Sequence, residues 1–191
     1  MKDNLDLDLL LQESLINKYY KMRKIILSTI FLSIITTQKA QEINIKSEES
    51  IIEFNYVEEG TPGTIKGIEG KIKFDLLNLG DSYFEARANI ASINTANKTR
   101  DSHLNAPDFF HTEKYPAITF KSDSVSIDQD KYLLYGKMTI KDITKSEKIS
   151  FTFEENVFNG RCVIFSNDYK IKTQKNRDDS KILVKIKVPV F

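Results

Sequence analysis

The chain has 191 residues, with 28 Lys+Arg against 27 Asp+Glu, 40% hydrophobic residues, one Cys, two His and no Trp. A net charge of +1 provides no basic excess for an acidic polymer, so nucleic acid is excluded as a partner. Twelve Phe and eight Tyr exclude a disordered chain, and one Cys with two His excludes a disulfide and leaves too few ligands for a zinc site without borrowed carboxylates. No metal and no cofactor is expected.

In chain order, the N-terminal stretch stands apart, because all seven Gly and all four Pro lie at position 60 or later. A basic head, Met22-Arg23-Lys24, precedes 13 uncharged and mostly apolar residues, Ile25 to Thr37. That length suits the ~7–15-residue core of a secretory signal peptide and falls short of the ~20 needed to span a bilayer. Cleavage is expected after Ala40, although Gln38 is larger than the small residue usually found there. The acidic Asp3, Asp6, Asp8 and Glu13 sit ahead of the basic head, so translation is expected to start at Met22. Residues 1–40 are therefore read as an N-terminal extension and signal peptide, and 41–191 as the working domain. The mature protein is expected in the bacterial periplasm or secreted, with no integral membrane span.

From residue 42 onward apolar and polar residues alternate at period two, the pattern of half-buried strands. The runs are Ile52/Phe54/Tyr56, Ile72/Phe74, Phe84/Ala86/Ala88/Ile90, Ile118/Phe120, Leu134/Met138/Ile140, Ile149/Phe151/Phe153, Val163/Phe165 and Ile182 to Val190. Turn signals separate them at Thr61-Pro62-Gly63, Asn78 to Asp81, Asp128-Gln129-Asp130, Asn159-Gly160 and Asn176 to Asp179. About eight strands with no intervening helices predict an all-β fold, an extended antiparallel β-barrel. Between Thr95 and Pro116 the alternation stops. There Thr95 or Asn97 can cap a short helix to about Ala106, and Asp108 a further turn, which places a short helical segment near residues 96–113 at one end of the barrel.

Few residues could carry chemistry. Asp101, Ser102 and His103 are consecutive, and helical neighbours fan out by ~100° each, so they cannot form a nucleophile–base–orienter relay; no enzyme activity is expected. Gly60, Gly63, Gly67 and Gly70 match neither GxGxxG nor a P-loop and read as bends in a curving sheet. Cys162 lies in a strand run and is expected to be packed.

The motifs Ser92-Ile93-Asn94-Thr95, Arg100-Asp101-Ser102-His103-Leu104, Asp108-Phe109-Phe110, Glu113 to Phe120 and Gly136-Lys137-Met138-Thr139-Ile140, in this order and spacing, resemble the YceI-like family of secreted and periplasmic polyisoprenoid-binding proteins. The resemblance covers about residues 42–191. It implies a lipocalin-like barrel with a hydrophobic cavity for a long-chain isoprenoid or similar amphiphile and no catalytic residues, with Arg100 to Phe110 near the barrel mouth. Two departures stand out: the Gly63 to Gly70 hairpin is shorter than usual, and Ser166 and Lys170 stand where the family often has Arg and Gly.

The expected function is non-catalytic carriage of a long-chain amphiphilic lipid: a polyisoprenoid, isoprenoid quinone or fatty-acid-like molecule. The expected lining is Ile52, Phe54, Phe74, Ala88, Ile90, Ile118, Phe120, Met138, Phe151, Phe153 and Val184, with Arg100, Asp101 and His103 as polar groups at the mouth. A homodimer stays open. The alternative is a secreted stress-response or protein-interaction module that uses the barrel as a packed scaffold.

Overall fold

The computed structural model describes residues 12–23 and 41–191; the apolar run Ile25 to Thr37 and the cut after Ala40 lie outside the described residues. The chain divides into two compact units, Met1–Lys39 and Ala40–Phe191. In the first, residues 12–23 form helix α1. The second holds ten strands: β1 (Glu42–Ile43), β2 (Ile51–Tyr56), β3 (Thr61–Lys66), β4 (Ile68–Lys73), β5 (Tyr83–Asn89), β6 (Ala117–Asp128), β7 (Lys131–Ile140), β8 (Ile143–Glu154), β9 (Val157–Phe165) and β10 (Lys181–Pro189). Helix α2 (Lys98–Asn105) follows β5.

All the strands belong to one antiparallel sheet in the order β1-β4-β5-β6-β7-β8-β9-β10-β2-β3, and its two ends meet. Glu42 pairs with Lys73 in β1–β4 while Ile51 pairs with Lys66 in β2–β3, so residues 42–73 are one long hairpin. Its first arm is broken by a 3-10 turn at Ser47–Glu49, and its second bends at Gly67, where φ is 76°. The first arm is held to β10 along its length, through Val184↔Phe54 and again through Ile45↔Val190. The second arm meets β5 through Ile68↔Ala88 and Thr64↔Asn94. Ten short strands thus amount to eight long ones curled on themselves, a lipocalin-like barrel of the expected size.

Two expected turns are strand instead. Thr61-Pro62-Gly63 opens β3, and Pro62 is accommodated because the start of β3 is a free sheet edge that needs no donor on that side. Asn159-Gly160 lies inside β9, where the missing side chain of Gly160 makes room for Ile149 and Ile186. The true β8–β9 turn is Glu155-Asn156, both with positive φ (51° and 60°), the two-residue hairpin geometry that matches strand twist. The Gly63 to Gly70 stretch is the bent second arm and not a hairpin of its own. After α2 the chain makes turns over residues 107–114 without a second helix.

Alternation then dictates the interior. In β9, Phe158, Gly160, Cys162 and Ile164 are buried while Asn159, Arg161 and Val163 are exposed. At the end of the barrel away from α2, Phe74 packs against five rings, those of Phe84, Tyr132, Phe151, Phe153 and Phe158, at centroid distances of 5.9, 4.9, 5.5, 5.7 and 5.6 Å. Mostly edge-on contacts of this kind add about 0.5–1.5 kcal/mol per pair to the burial term.

Candidate functional site

The inward side chains leave two adjoining apolar chambers. The upper, of about 460 Å³, lies beneath α2; the lower, of about 110 Å³, lies toward the aromatic cluster and is lined in part by Phe84, Phe151 and Phe158. Ile52 and Ile118 face both, so the chambers are successive parts of one channel. A volume of this size is ordinary for a small-molecule site.

The walls of the upper chamber follow the strand period: Ile52, Phe54 and Tyr56 from β2, Met138 and Ile140 from β7, Ile182 and Val184 from β10. Phe54 has room because it lies against Gly63, its register partner in β3. Arg100, His103 and Leu104 of α2, with Phe109 and Phe110 of the turn after it, cover the top.

The cover is fixed by local hydrogen bonds. Arg100 N–H donates to Asn97 Oδ1 at 3.0 Å, which caps α2. Asp101 Oδ1 accepts from the N–H and the hydroxyl of buried Thr95, at 2.8 and 2.6 Å. Arg100 Nε in turn donates to Thr95 Oγ1 at 2.8 Å, and its terminal nitrogen to Thr95 O at 3.0 Å. Asp101 therefore ties the start of α2 to the loop that carries Thr95, against which Arg100 is also held.

The loop between β9 and β10 supplies Ser166, Ile171 and Lys172 to the rim. Lys170 adopts φ 51°, ψ 38°, a left-handed conformation that glycine adopts without cost. Lys172 pairs with Glu59 across the mouth and lies 5.0 Å over the Tyr56 ring. Beside it, Gln174 Nε2 donates to the Tyr56 hydroxyl at 2.6 Å. Below the loop, Tyr169 is 0% exposed, and burial together with the Glu147 carboxylate raises its phenol pKa. Burial likewise lifts the Glu147 carboxyl above its usual range, against the opposing hydrogen bond from Tyr169.

Of the residues expected from sequence, the upper chamber brings together Ile52, Phe54, Ile118, Met138 and Val184 with Arg100 and His103; Ala88, Phe120 and Phe151 face the lower one. Phe74 and Phe153 line neither chamber and belong to the aromatic cluster. Ile90, 1% exposed, is sealed in a 3-10 turn after β5. Tyr56, Ile140 and Ile182 were not anticipated, although each lies two residues from a residue already placed inward; Ile164 is inward against expectation, because β9 buries Phe158, Gly160, Cys162 and Ile164 and turns the expected Val163/Phe165 run the other way. Leu104, Phe109, Phe110 and Ile171 come from segments without period; the resemblance alone placed Arg100 to Phe110 near the mouth, and nothing pointed to Ile171. Among the described residues no group of three or more His, Cys, Asp or Glu could hold a metal ion, and no helix is long and apolar enough to cross a membrane.

Residues 43–190 match the family model described as YceI-like domain. A UPF0312 protein of Photorhabdus laumondii is 37% identical over 83 residues, covering 44% of this chain and 43% of that protein. Protein YceI of Escherichia coli O157:H7 is also 37% identical over 83 residues, 44% of each. The chain spans less than half the length of these curated relatives. Among solved structures, Burkholderia cenocepacia BcnA superposes with a TM-score of 0.69 at 20% identity, over 76% of this chain and 98% of that one. A Campylobacter jejuni YCEI protein gives 0.57 at 26% identity, over 68% and 84%. A polyisoprenoid binding domain from Saccharophagus degradans gives 0.54 at 11% identity, over 76% and 95%.

Proposed function

The chain belongs to the YceI-like domain family, and from that premise we propose that it is a non-catalytic carrier of a long-chain amphiphile held inside the barrel. The observation that carries this reading is the channel itself: two chambers walled by aliphatic and aromatic side chains, opening at a rim where Arg100, His103 and Lys172 gather. A polyisoprenoid, an isoprenoid quinone or a fatty-acid-like chain has the matching form, an apolar tail with one polar end. The Saccharophagus degradans neighbour is a polyisoprenoid binding domain, and its kind of ligand needs apolar walls such as these.

Burial of ten methylenes supplies about 8 kcal/mol gross at ~0.8 kcal/mol each, before ordering costs. That is sufficient affinity without a charge pair to the tail. Ser166 stands where the family often has Arg, and its hydroxyl donates to Lys172 O at 2.8 Å. With Ser in place of that Arg, the rim has one cation fewer to meet a pyrophosphate, which favours a quinone, fatty acid or amide head group.

Residues 1–40 serve as an extension and signal peptide on this reading, and the carrier works in the periplasm or outside the cell. N-terminal sequencing of the exported protein should begin at Gln41; an exported chain still carrying Ile25 to Thr37 would defeat that part. Native mass spectrometry with organic extraction tests the carrier itself. A protein that comes out empty and takes up no quinone, isoprenoid or fatty acid would return the barrel to the role of a packed scaffold.

A further inference from the structure

The outer face of the barrel is uneven in charge. Along β8, β9 and β10 the outward positions hold Lys148, Arg161, Lys181, Lys185 and Lys187 against a single carboxylate, Glu154 at the end of β8. The near balance of charge over the whole chain conceals this bias. Among the described residues the ion pairs join Lys46 to Glu49, Lys172 to Glu59 and Arg177 to Asp168, so none of these five cations is neutralised by a carboxylate in contact. The face is bounded at β2, where Glu53 stands opposite Lys185 in the register.

Two outward rungs of the β9–β10 ladder run against what folding favours. Leu183 pairs with Val163, and the two are 47% and 42% exposed, an apolar pair left in water on the outside of the barrel. On the next outward rung Lys185 pairs with Arg161, and like charges directly opposite one another cost stability. An anionic bilayer relieves both: its phosphates meet the cations, while Val and Leu side chains enter the boundary between headgroups and acyl chains. A soluble acidic chain would meet the cations and leave the apolar pair without a partner. We propose that the outer face of β8–β10 docks on an anionic phospholipid surface. This face leads into the channel mouth, since β9 and β10 are joined by the loop that supplies Ser166, Ile171 and Lys172 to the rim. A barrel lying on it brings the rim to the headgroup layer, where an amphiphile joins or leaves the bilayer; that use of the docked state rests on the carrier reading above.

The test is cosedimentation of the exported protein with vesicles of phosphatidylcholine, alone or with about one-third phosphatidylglycerol. Binding to the mixed vesicles should exceed binding to phosphatidylcholine by about tenfold or more and should fall as salt is raised. Near an anionic surface each cation is worth about fivefold in affinity, so the Arg161→Gln, Lys185→Gln, Lys187→Gln triple variant should bind about a hundredfold more weakly. A second triple variant, Lys71→Gln, Lys98→Gln, Lys121→Gln, removes exposed cations from β4, α2 and β6 and should stay within about threefold of wild type, because charges off the contact face are screened. Equal loss in the two variants assigns binding to net charge and overturns the docking face. No preference for the mixed vesicles overturns it as well, and so does tighter binding to soluble polyglutamate. Uptake of isoprenoid, quinone and fatty acid from solution, counted by native mass spectrometry, keeps the two readings apart. A protein that takes one up and ignores the vesicles loses the docking face and keeps the carrier; one that docks and takes up none keeps the face and loses the carrier.

Discussion

Tyr169 donates its hydroxyl to Glu147 Oε1 at 2.7 Å, joining the loop after β9 to the middle of β8. The same loop is stitched internally by Asn167 Nδ2 to Gln174 O at 3.0 Å and Gln174 N–H to Asn167 Oδ1 at 2.7 Å. Its outer edge is clamped where Arg177 makes a two-pronged contact with Asp168, at 2.9 and 2.6 Å, while lying 3.6 Å over the Phe165 ring. One side of the channel mouth is thus a loop made rigid from beneath by Tyr169 and from outside by Arg177, which is what holds Ser166, Ile171 and Lys172 in place over the apolar channel.

Tyr169→Phe removes the phenol that satisfies a half-buried carboxylate. Losing a buried hydrogen bond to a charged acceptor costs about 1–3 kcal/mol, which for a domain of this size lowers the melting temperature by about 2–4 °C per kcal/mol. Thermal unfolding followed by circular dichroism checks it. A variant with an unchanged melting temperature would show that the hydrogen bond is not an anchor.

Burial raises the Glu147 carboxyl pKa above its ordinary 4.5. Between that value and its folded one, the native state binds more protons than the unfolded state, so stability falls as pH rises through this window and the loss is complete above it. Asp168 acts with the opposite sign: its hydrogen bond from Arg177 lowers its pKa below 3.8, so its contribution is present above that pH and lost as pH falls through the folded value. Urea midpoints of wild type and Glu147→Gln, measured in steps from pH 3 to pH 7, separate the two. The Gln variant should lose the decline above pH 4.5 and keep the loss at the acid end; a decline that persists in Glu147→Gln assigns it to another group.

Much of the channel is legible in strand period alone. Ile52, Phe54 and Val184 fall inward because residues two apart share a face, and the barrel follows from the recurrence of that pattern. Period says nothing about height along the barrel axis, however. Phe74 and Phe153 have the right face and sit at the far end, where rings from several strands converge and fill the space. Turn chemistry misled at Pro62 and Gly160 for a related reason: each residue type suits a turn, but here one answers to a free sheet edge and the other to the bulk of Ile149 and Ile186. The mouth residues Phe109, Phe110 and Ile171 have no period to reveal them, since their places depend on the tertiary contacts of α2 and the β9–β10 loop.

Gly63→Ala tests the seating of Phe54. A Cβ at residue 63 would fall well inside contact distance of the Phe54 ring, and the far end of that side chain moves more easily than backbone does, so the ring should swing into the upper chamber. Overpacking of this kind costs about 1–3 kcal/mol, while the chamber loses part of its volume. Uptake of geranylgeraniol should drop by about tenfold or more in a protein that still folds. Full uptake would place the displaced ring elsewhere.

Cys162 reports whether the wall between channel and sheet opens. It lies on the inward side of β9, opposite Val184 of β10, and burial, reinforced by the Glu147 charge, pushes its thiol pKa up to about 12. Only the thiolate reacts. At pH 8 a shift from about 9 to about 12 lowers the thiolate fraction by about a thousandfold, and steric shielding acts in addition. Iodoacetamide should therefore label the native protein at least about a hundredfold more slowly than the same chain in guanidinium chloride, and the native rate should track transient opening of β9. Occupying the channel with a tail should slow it further, because a ligand that binds only the native state reduces the open population in proportion. Native labelling within tenfold of the denatured rate would mean that this wall is loosely packed and opens readily.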